Sequence, residues 1–199
     1  MKLYFAPNTR AVRSAWLMNE LGLEFEIERF KLGDKAMRAP EFTAINPNGR
    51  VPVLQDGDVL ISESAAIAEY LVARYGNGKL APAVDSPDFP VYLQWLHYAE
   101  GMIMGPMGNY VVETILLPED RRSEEHAKRA LKLMGRVLQA VDAHLDGREY
   151  LVGDFTAADT ITGHACMMCA RFGVDPGPNV AAYVERLKAR PALQKALEL

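Results

Sequence analysis

The chain has 199 residues, 49% hydrophobic and 24% charged, enough to bury a sizeable core as one domain or two small ones. Its formal net charge of −4 gives no electrostatic case for nucleic acid or an anionic membrane surface. The only cysteines, Cys166 and Cys169, exclude a disulfide framework and point to a reducing, cytoplasmic setting. The N-terminus lacks a signal peptide's apolar core, and no window approaches the roughly 18 apolar residues of a membrane span.

Lys2 to Ala6 is an apolar run closed by Pro7-Asn8, and reads as a first strand. In NTRAVRSAWLMNELGL, Val12, Trp16, Leu17 and Leu21 recur at helical spacing, with Asn8 or Thr9 as cap and Gly22 as stop. FEIERF (25–30) alternates as a half-buried strand does. After a polar connector, PVLQDGDVLI (52–61) predicts a hairpin around Asp56-Gly57, and SESAAIAEYLVARYG a helix with Ala66, Ile67, Tyr70 and Leu71 on one face. A linker rich in Gly, Pro and Asp, residues 78–88, follows. Beyond it the pattern is helical, with an interruption expected near Gly105-Pro106. Leu131, Met134, Leu138, Val141 and Leu145 mark one long amphipathic face. The expected architecture is an α+β domain over 1–77, with a mixed sheet, and an all-α domain over 89–199.

Pro52 is the anomaly in this reading, because it has no N–H to give a strand ladder. If the Val51-Pro52 bond is cis, Val51 turns its own N–H and C=O outward, where an extended peptide can pair with them. The APNTR turn places Asn8 and Thr9 at a helix start that favours an anion. Glu63-Ser64 opens the next helix; Ser64 can meet a carboxylate there, and Glu63 an ammonium. These three features suit a short peptide bearing a thiolate, a carboxylate and an ammonium, a description that glutathione fits.

NPNGRVPVL followed by ISESAAIAEYLVARYG resembles the glutathione-binding signature of the cytosolic glutathione transferases, and TAADTITGHAC and ERLKARPALQKAL resemble the family's C-terminal segments. The likeness spans essentially the whole chain and is closer to the bacterial, serine/threonine-like members than to the cysteine-type ones. It implies a thioredoxin-like first domain with a four-stranded mixed sheet. It also implies a cytoplasmic homodimer active in detoxification, with glutathione as substrate and no metal. Pro52 would then be the family's cis-proline, Val51 the residue pairing with the cysteinyl part, and Glu63 and Ser64 the holders of the γ-glutamyl group. Arg50 stands where a basic residue meets the glycine end. Thr9 falls at the thiol-activating position, with Asn8, Arg10 or a main-chain N–H as alternatives. The turn has no cysteine, which weighs against disulfide-exchanging classes. Met104, Met107 and Tyr110 stand where the family's helices line the pocket for a hydrophobic co-substrate. Isomerase or dehalogenase chemistry on the same scaffold, or a binding module without catalysis, are the alternative readings.

Other motifs read as structural. Cys166 and Cys169 share a helix face within an apolar run and have no second ligand pair, so core packing explains them. Thr156 and Asp159 have capping-box spacing. His97, His126, His144 and His164 form no ligand spacing.

Overall fold

The computed structural model describes residues 1–199. Its first elements are β1 (Lys2–Phe5), α1 (Ala11–Glu20), β2 (Glu26–Arg29), a 3₁₀ turn (Lys35–Arg38) and a short helix α2 (Pro40–Thr43). β3 (Val53–Asp56), β4 (Val59–Ser62) and α3 (Ser64–Tyr75) follow. The sheet order is β2-β1-β3-β4, with β1 and β2 parallel across the α1 crossover and the other pairs antiparallel. The sheet is therefore mixed and four-stranded, as expected.

Strand alternation distributes the core over both faces. Leu3, Phe5 and Leu54 are fully buried on one side. On the other, Tyr4, Ala6 and Val53 join Phe30, Met37 and Phe42, with Ile45 and Val51 packed against them. The polar connector after β2 is thus not plain loop: Met37 and Phe42, from its two short helical turns, cap this second cluster. Sparse apolar residues at no regular period hid those turns from sequence reading.

The helical part runs α4 (Phe89–Tyr98), a π turn (Ala99–Ile103), α5 (Met104–Val111) and a second π turn (Val112–Leu116). After a 3₁₀ turn (Glu119–Arg121) come α6 (Glu124–His144), a third π turn (Asp159–Gly163), α7 (His164–Arg171), α8 (Pro178–Lys188) and α9 (Pro191–Leu197). The break between α4 and α5 precedes Gly105-Pro106. Thr162 Oγ1 donates to Trp95 C=O at 2.6 Å and accepts from the Ala99 N–H at 3.2 Å. Its hydroxyl is thereby inserted into the i→i−4 ladder, which forces the wider turn. Pro106, which has no N–H for the Met102 carbonyl, prolongs the irregularity. On α6, Met134, Leu138, Val141 and Leu145 are buried as the periodicity predicts, with Ala130 completing the face in place of the half-buried Leu131.

The chain divides into two compact units, Met1–Ala83 with Lys188–Leu199, and Val84–Leu187. The last residues, grouped with the helical half on sequence, return to the first unit. There α9 packs on α1, Asn19 Nδ2 donates to Ala192 C=O at 3.1 Å, and Arg190 grips Glu20 in a fork at 2.7 and 2.9 Å. No helix is long and apolar enough to cross a membrane.

Candidate active site

One row of the sheet organises the first unit's candidate residues. Tyr4 pairs with Val53, and Val53 with Ser62, so the end of β1, the start of β3 and the end of β4 lie level. The segments just beyond that row are Ala6–Arg10, Val51-Pro52 and Glu63-Ser64. Three stretches far apart in sequence thus leave the same edge of the sheet.

The Val51-Pro52 bond is cis. No turn or loop hydrogen bond of the chain engages the Val51 N–H or C=O. The preceding loop is fixed from within: Asn46, 5% exposed, donates to Arg50 C=O at 2.8 Å and accepts from the Asn48 N–H at 3.1 Å. Gly49 sits at φ +57, and a Cβ there would meet Met37 C=O at 2.4 Å, so no other residue fits. The Arg50 side chain is exposed. Sequence reading missed Asn46, although the Asn-Pro-Asn-Gly run that contains it is a strong turn signal.

Glu63 is exposed and adopts φ 71, ψ 116, a left-handed conformation rare for a residue with a side chain. Such conformations cost on the order of 1–3 kcal/mol and cluster at functional sites. Glu63 C=O accepts from the Ile67 N–H at 2.9 Å, which starts α3, but its side chain makes no capping bond. Ser64 is 2% exposed, and its Oγ accepts from Arg13 Nη1 at 3.2 Å. Arg13 is fully buried. Nothing in the sequence singled it out, because α1's apolar pattern runs past a cation at that position.

The Thr9 turn is more occupied than its sequence suggests. Thr9 Oγ1 donates to Ala6 C=O at 2.6 Å and accepts from the Ala11 N–H at 3.2 Å. The hydroxyl's one proton is therefore held inside the turn. The N–H groups of Val12 and Arg13 are also used, by Thr9 C=O and Arg10 C=O. The Thr9 N–H belongs to none of the turn's hydrogen bonds. Asn8, at φ 60, turns the chain into this arrangement. Ser14 is buried, and its Oγ has no partner.

Residues 1–73 match the family model of the glutathione S-transferase N-terminal domain, and residues 103–191 that of its C-terminal domain. Glutathione S-transferase 3 of Zea mays is 33% identical over 99% of this chain and 93% of its own length. The chain belongs to the glutathione S-transferase family. Among solved structures of that family, the transferase URE2P6 of Phanerochaete chrysosporium, in complex with oxidized glutathione, superposes with a TM-score of 0.89 at 26% identity. That match covers 99% of this chain and 94% of the other. A family member from Pseudomonas fluorescens, with two glutathione bound, gives a TM-score of 0.88 at 27% identity, covering 99% and 92%.

In the helical unit of this family member, Met107 is 2% exposed and packs in the core of that unit. Met104 and Tyr110 are half-buried, and the Tyr110 ring packs edge-on against Phe172 with centroids 5.2 Å apart. Cys166 and Cys169 are both fully buried, and burial pushes the Cys169 thiol up to about 12. Asp159 closes a capping box, accepting from the Thr156 N–H at 2.7 Å and Thr156 Oγ1 at 3.1 Å. It accepts as well from the Leu151 N–H at 3.1 Å and Tyr183 Oη at 2.8 Å. Burial pushes its carboxyl upward while these four donors pull it back. No group of three His, Cys, Asp or Glu side chains gathers as a metal site.

Proposed function

We propose that this chain binds glutathione along the levelled sheet edge, stabilises its thiolate and directs it at an electrophilic small molecule. The observation that carries the reading is the Tyr4–Val53–Ser62 row, which brings an anion-favouring turn, an unpaired backbone edge and an open helix start to one side. In this reading Val51 pairs through its main chain with the cysteinyl residue of glutathione, and Pro52 shapes the approach. Glu63 accepts from the γ-glutamyl ammonium, Ser64 and the first N–H groups of α3 take its carboxylate, and Arg50 meets the glycine end.

The site is of the serine/threonine type, with Thr9 meeting the sulfur. Its main-chain N–H is available directly, and its hydroxyl only after releasing Ala6 C=O. A donor to sulfur lowers the thiol pKa from about 8.5, each unit corresponding to roughly 1.4 kcal/mol. The thiolate then forms a bond to the electrophilic carbon, whose leaving group departs with the bonding electrons. Met104 and Tyr110 are the proposed co-substrate contacts, with Met107 supporting them from the core. The protein acts as a cytoplasmic homodimer in detoxification.

Titration calorimetry with glutathione, and turnover on a panel of aryl halides, maleyl acids and haloalkanes with glutathione consumption followed, test the reading. Binding, with net consumption on an electrophile, is expected. A Glu63→Ala/Ser64→Ala double variant still fully retained on immobilised glutathione would overturn the γ-glutamyl assignment.

A second reading is favoured by the two solved relatives, one in complex with oxidized glutathione and the other with two glutathione bound. Here a small disulfide occupies the co-substrate position first. The first glutathione's thiolate bonds to one of its sulfurs, the S–S bond breaks, and the departing thiolate takes a proton. A second glutathione's thiolate then attacks the glutathione sulfur of the mixed disulfide, giving oxidized glutathione and a second thiol. The chain's buried cysteines have no part in this, so bound glutathione supplies the nucleophile. A calorimetric stoichiometry of two glutathiones per chain, with turnover of a small dialkyl disulfide, supports it; a stoichiometry of one without such turnover removes it.

A further inference from the structure

We propose that Arg13 is a positioning residue for carboxylate recognition: it occupies an acceptor site of Ser64 Oγ, so that the Ser64 hydroxyl proton is given to the γ-glutamyl carboxylate. The proposal rests on the start of α3 being the γ-glutamyl site.

The direction of the Arg13–Ser64 bond is fixed by chemistry. A guanidinium has five N–H donors and no acceptor, and it does not deprotonate in proteins. At 3.2 Å from Arg13 Nη1, Ser64 Oγ can therefore only accept. A serine hydroxyl carries one proton and two lone pairs. This is the one hydrogen bond the Ser64 side chain makes within the chain, so its proton remains to be given. With Ser64 2% exposed, little solvent competes for that proton. Ser64 is also the first residue of α3, where unused N–H groups and the positive dipole end already favour an anion.

Burial of the cation is the second part of the argument. A fully buried guanidinium is costly to desolvate and persists only where partners hold it. At Arg13 that cost places a permanent positive charge one hydrogen bond behind the group that faces the ligand. A hydroxyl that accepts from a cation is a stronger donor, because bonds in such a chain polarise one another. Removing Arg13 should therefore weaken the hold on one particular ligand group, the γ-glutamyl carboxylate, without touching ligand directly.

Calorimetry with glutathione and with γ-aminobutyryl-cysteinyl-glycine, which lacks only that carboxylate, reads this out as a ratio of affinities. Far-UV circular dichroism reports folding of each variant. The wild type is expected to prefer glutathione by about 10- to 100-fold, the range for a charge-assisted hydrogen bond. Arg13→Met should bring the ratio close to that of Ser64→Ala, and combining the two should add little. A purely structural role would weaken both ligands alike and leave the ratio unchanged, which overturns the proposal, as do additive losses in the double variant. Should Arg13→Met not fold, Arg13→Gln keeps a donor but drops the charge; it is expected to reduce the ratio severalfold, and an unchanged ratio again overturns the proposal. If the wild type binds no glutathione, the functional reading itself fails. If it binds both peptides equally, the α3 assignment fails while glutathione binding stands.

Discussion

Two helix starts in this molecule use nearly the same residues and end in opposite states. At Thr156–Asp159 a hydroxyl residue and a carboxylate close on each other, and Asp159 collects four donors without reaching solvent. At Glu63-Ser64 the carboxylate makes no capping bond and points out from a left-handed residue, while the hydroxyl is held from behind by Arg13. The first satisfies its own helix. The second leaves its donors for something else. Local composition does not distinguish them; what surrounds each carboxylate does.

The largest effect is expected where the circuit is closed. Asp159→Asn puts an amide N–H₂ where donors already converge, leaving at least one buried donor unpaired. Breaking a buried charged network of this kind costs about 3–5 kcal/mol. Thermal melting should show a large loss or an insoluble product, whereas a variant within 1 kcal/mol of wild type would mean that Asp159 is no keystone.

Glu63→Gly should have the mixed result that an open site predicts. Removing the side chain from φ 71 relieves strain, so stability should rise by about 1 kcal/mol. Glutathione affinity should meanwhile fall by about tenfold, as one charge-assisted bond to the ammonium is lost. Chemical denaturation and calorimetry on the same preparation check both signs. A loss of stability would show that Glu63 is held for folding, and the contrast with Asp159 would collapse.

How much of this was legible in the sequence follows from the same contrast. The sheet, the hairpin and the α6 face came through because period-2 and period-3.6 patterns report burial directly. The cis Val51-Pro52 bond and the start of α3 at Ser64 were legible because their flanks are a family signature. Arg13 did not, since a buried cation is meaningful only beside Ser64, 51 positions away. The break after Tyr98 was expected too late, because the Thr162 hydroxyl that opens it comes from another helix. The return of α9 to α1 was invisible for the same reason: Glu20 and Arg190 meet only in three dimensions.

Thr9 stands between the two extremes, its hydroxyl already spent on its own turn like Asp159, its N–H still open like the start of α3. Thr9→Ala should therefore lower kcat by only about tenfold, below the 10²–10³ lost with a dedicated oxyanion donor. Thr9→Ser should restore it. Steady-state kinetics, with the bound thiol titrated by its ultraviolet thiolate absorbance, checks this. A loss beyond a hundredfold would show that the hydroxyl itself serves the sulfur, and that the bond to Ala6 yields on binding.

The smallest effect lies at the far end of α3, where Asp56 accepts from Tyr70 Oη at 2.8 Å and from Tyr75 Oη, with Arg74 nearby. These hydrogen bonds, Tyr75 first, lower the Asp56 carboxyl below its ordinary 3.8. A depressed carboxyl contributes stability above its unfolded pKa and loses it as pH falls through the folded one. Asp56→Asn should therefore be less stable than wild type at pH 7, with the gap narrowing below about pH 4 as the wild-type carboxyl takes its proton. Melting curves of the pair across that range read the sign directly. A gap constant with pH would mean that Asp56 acts through shape alone, leaving α3 tied down by its packing rather than by charge at the end remote from Glu63-Ser64.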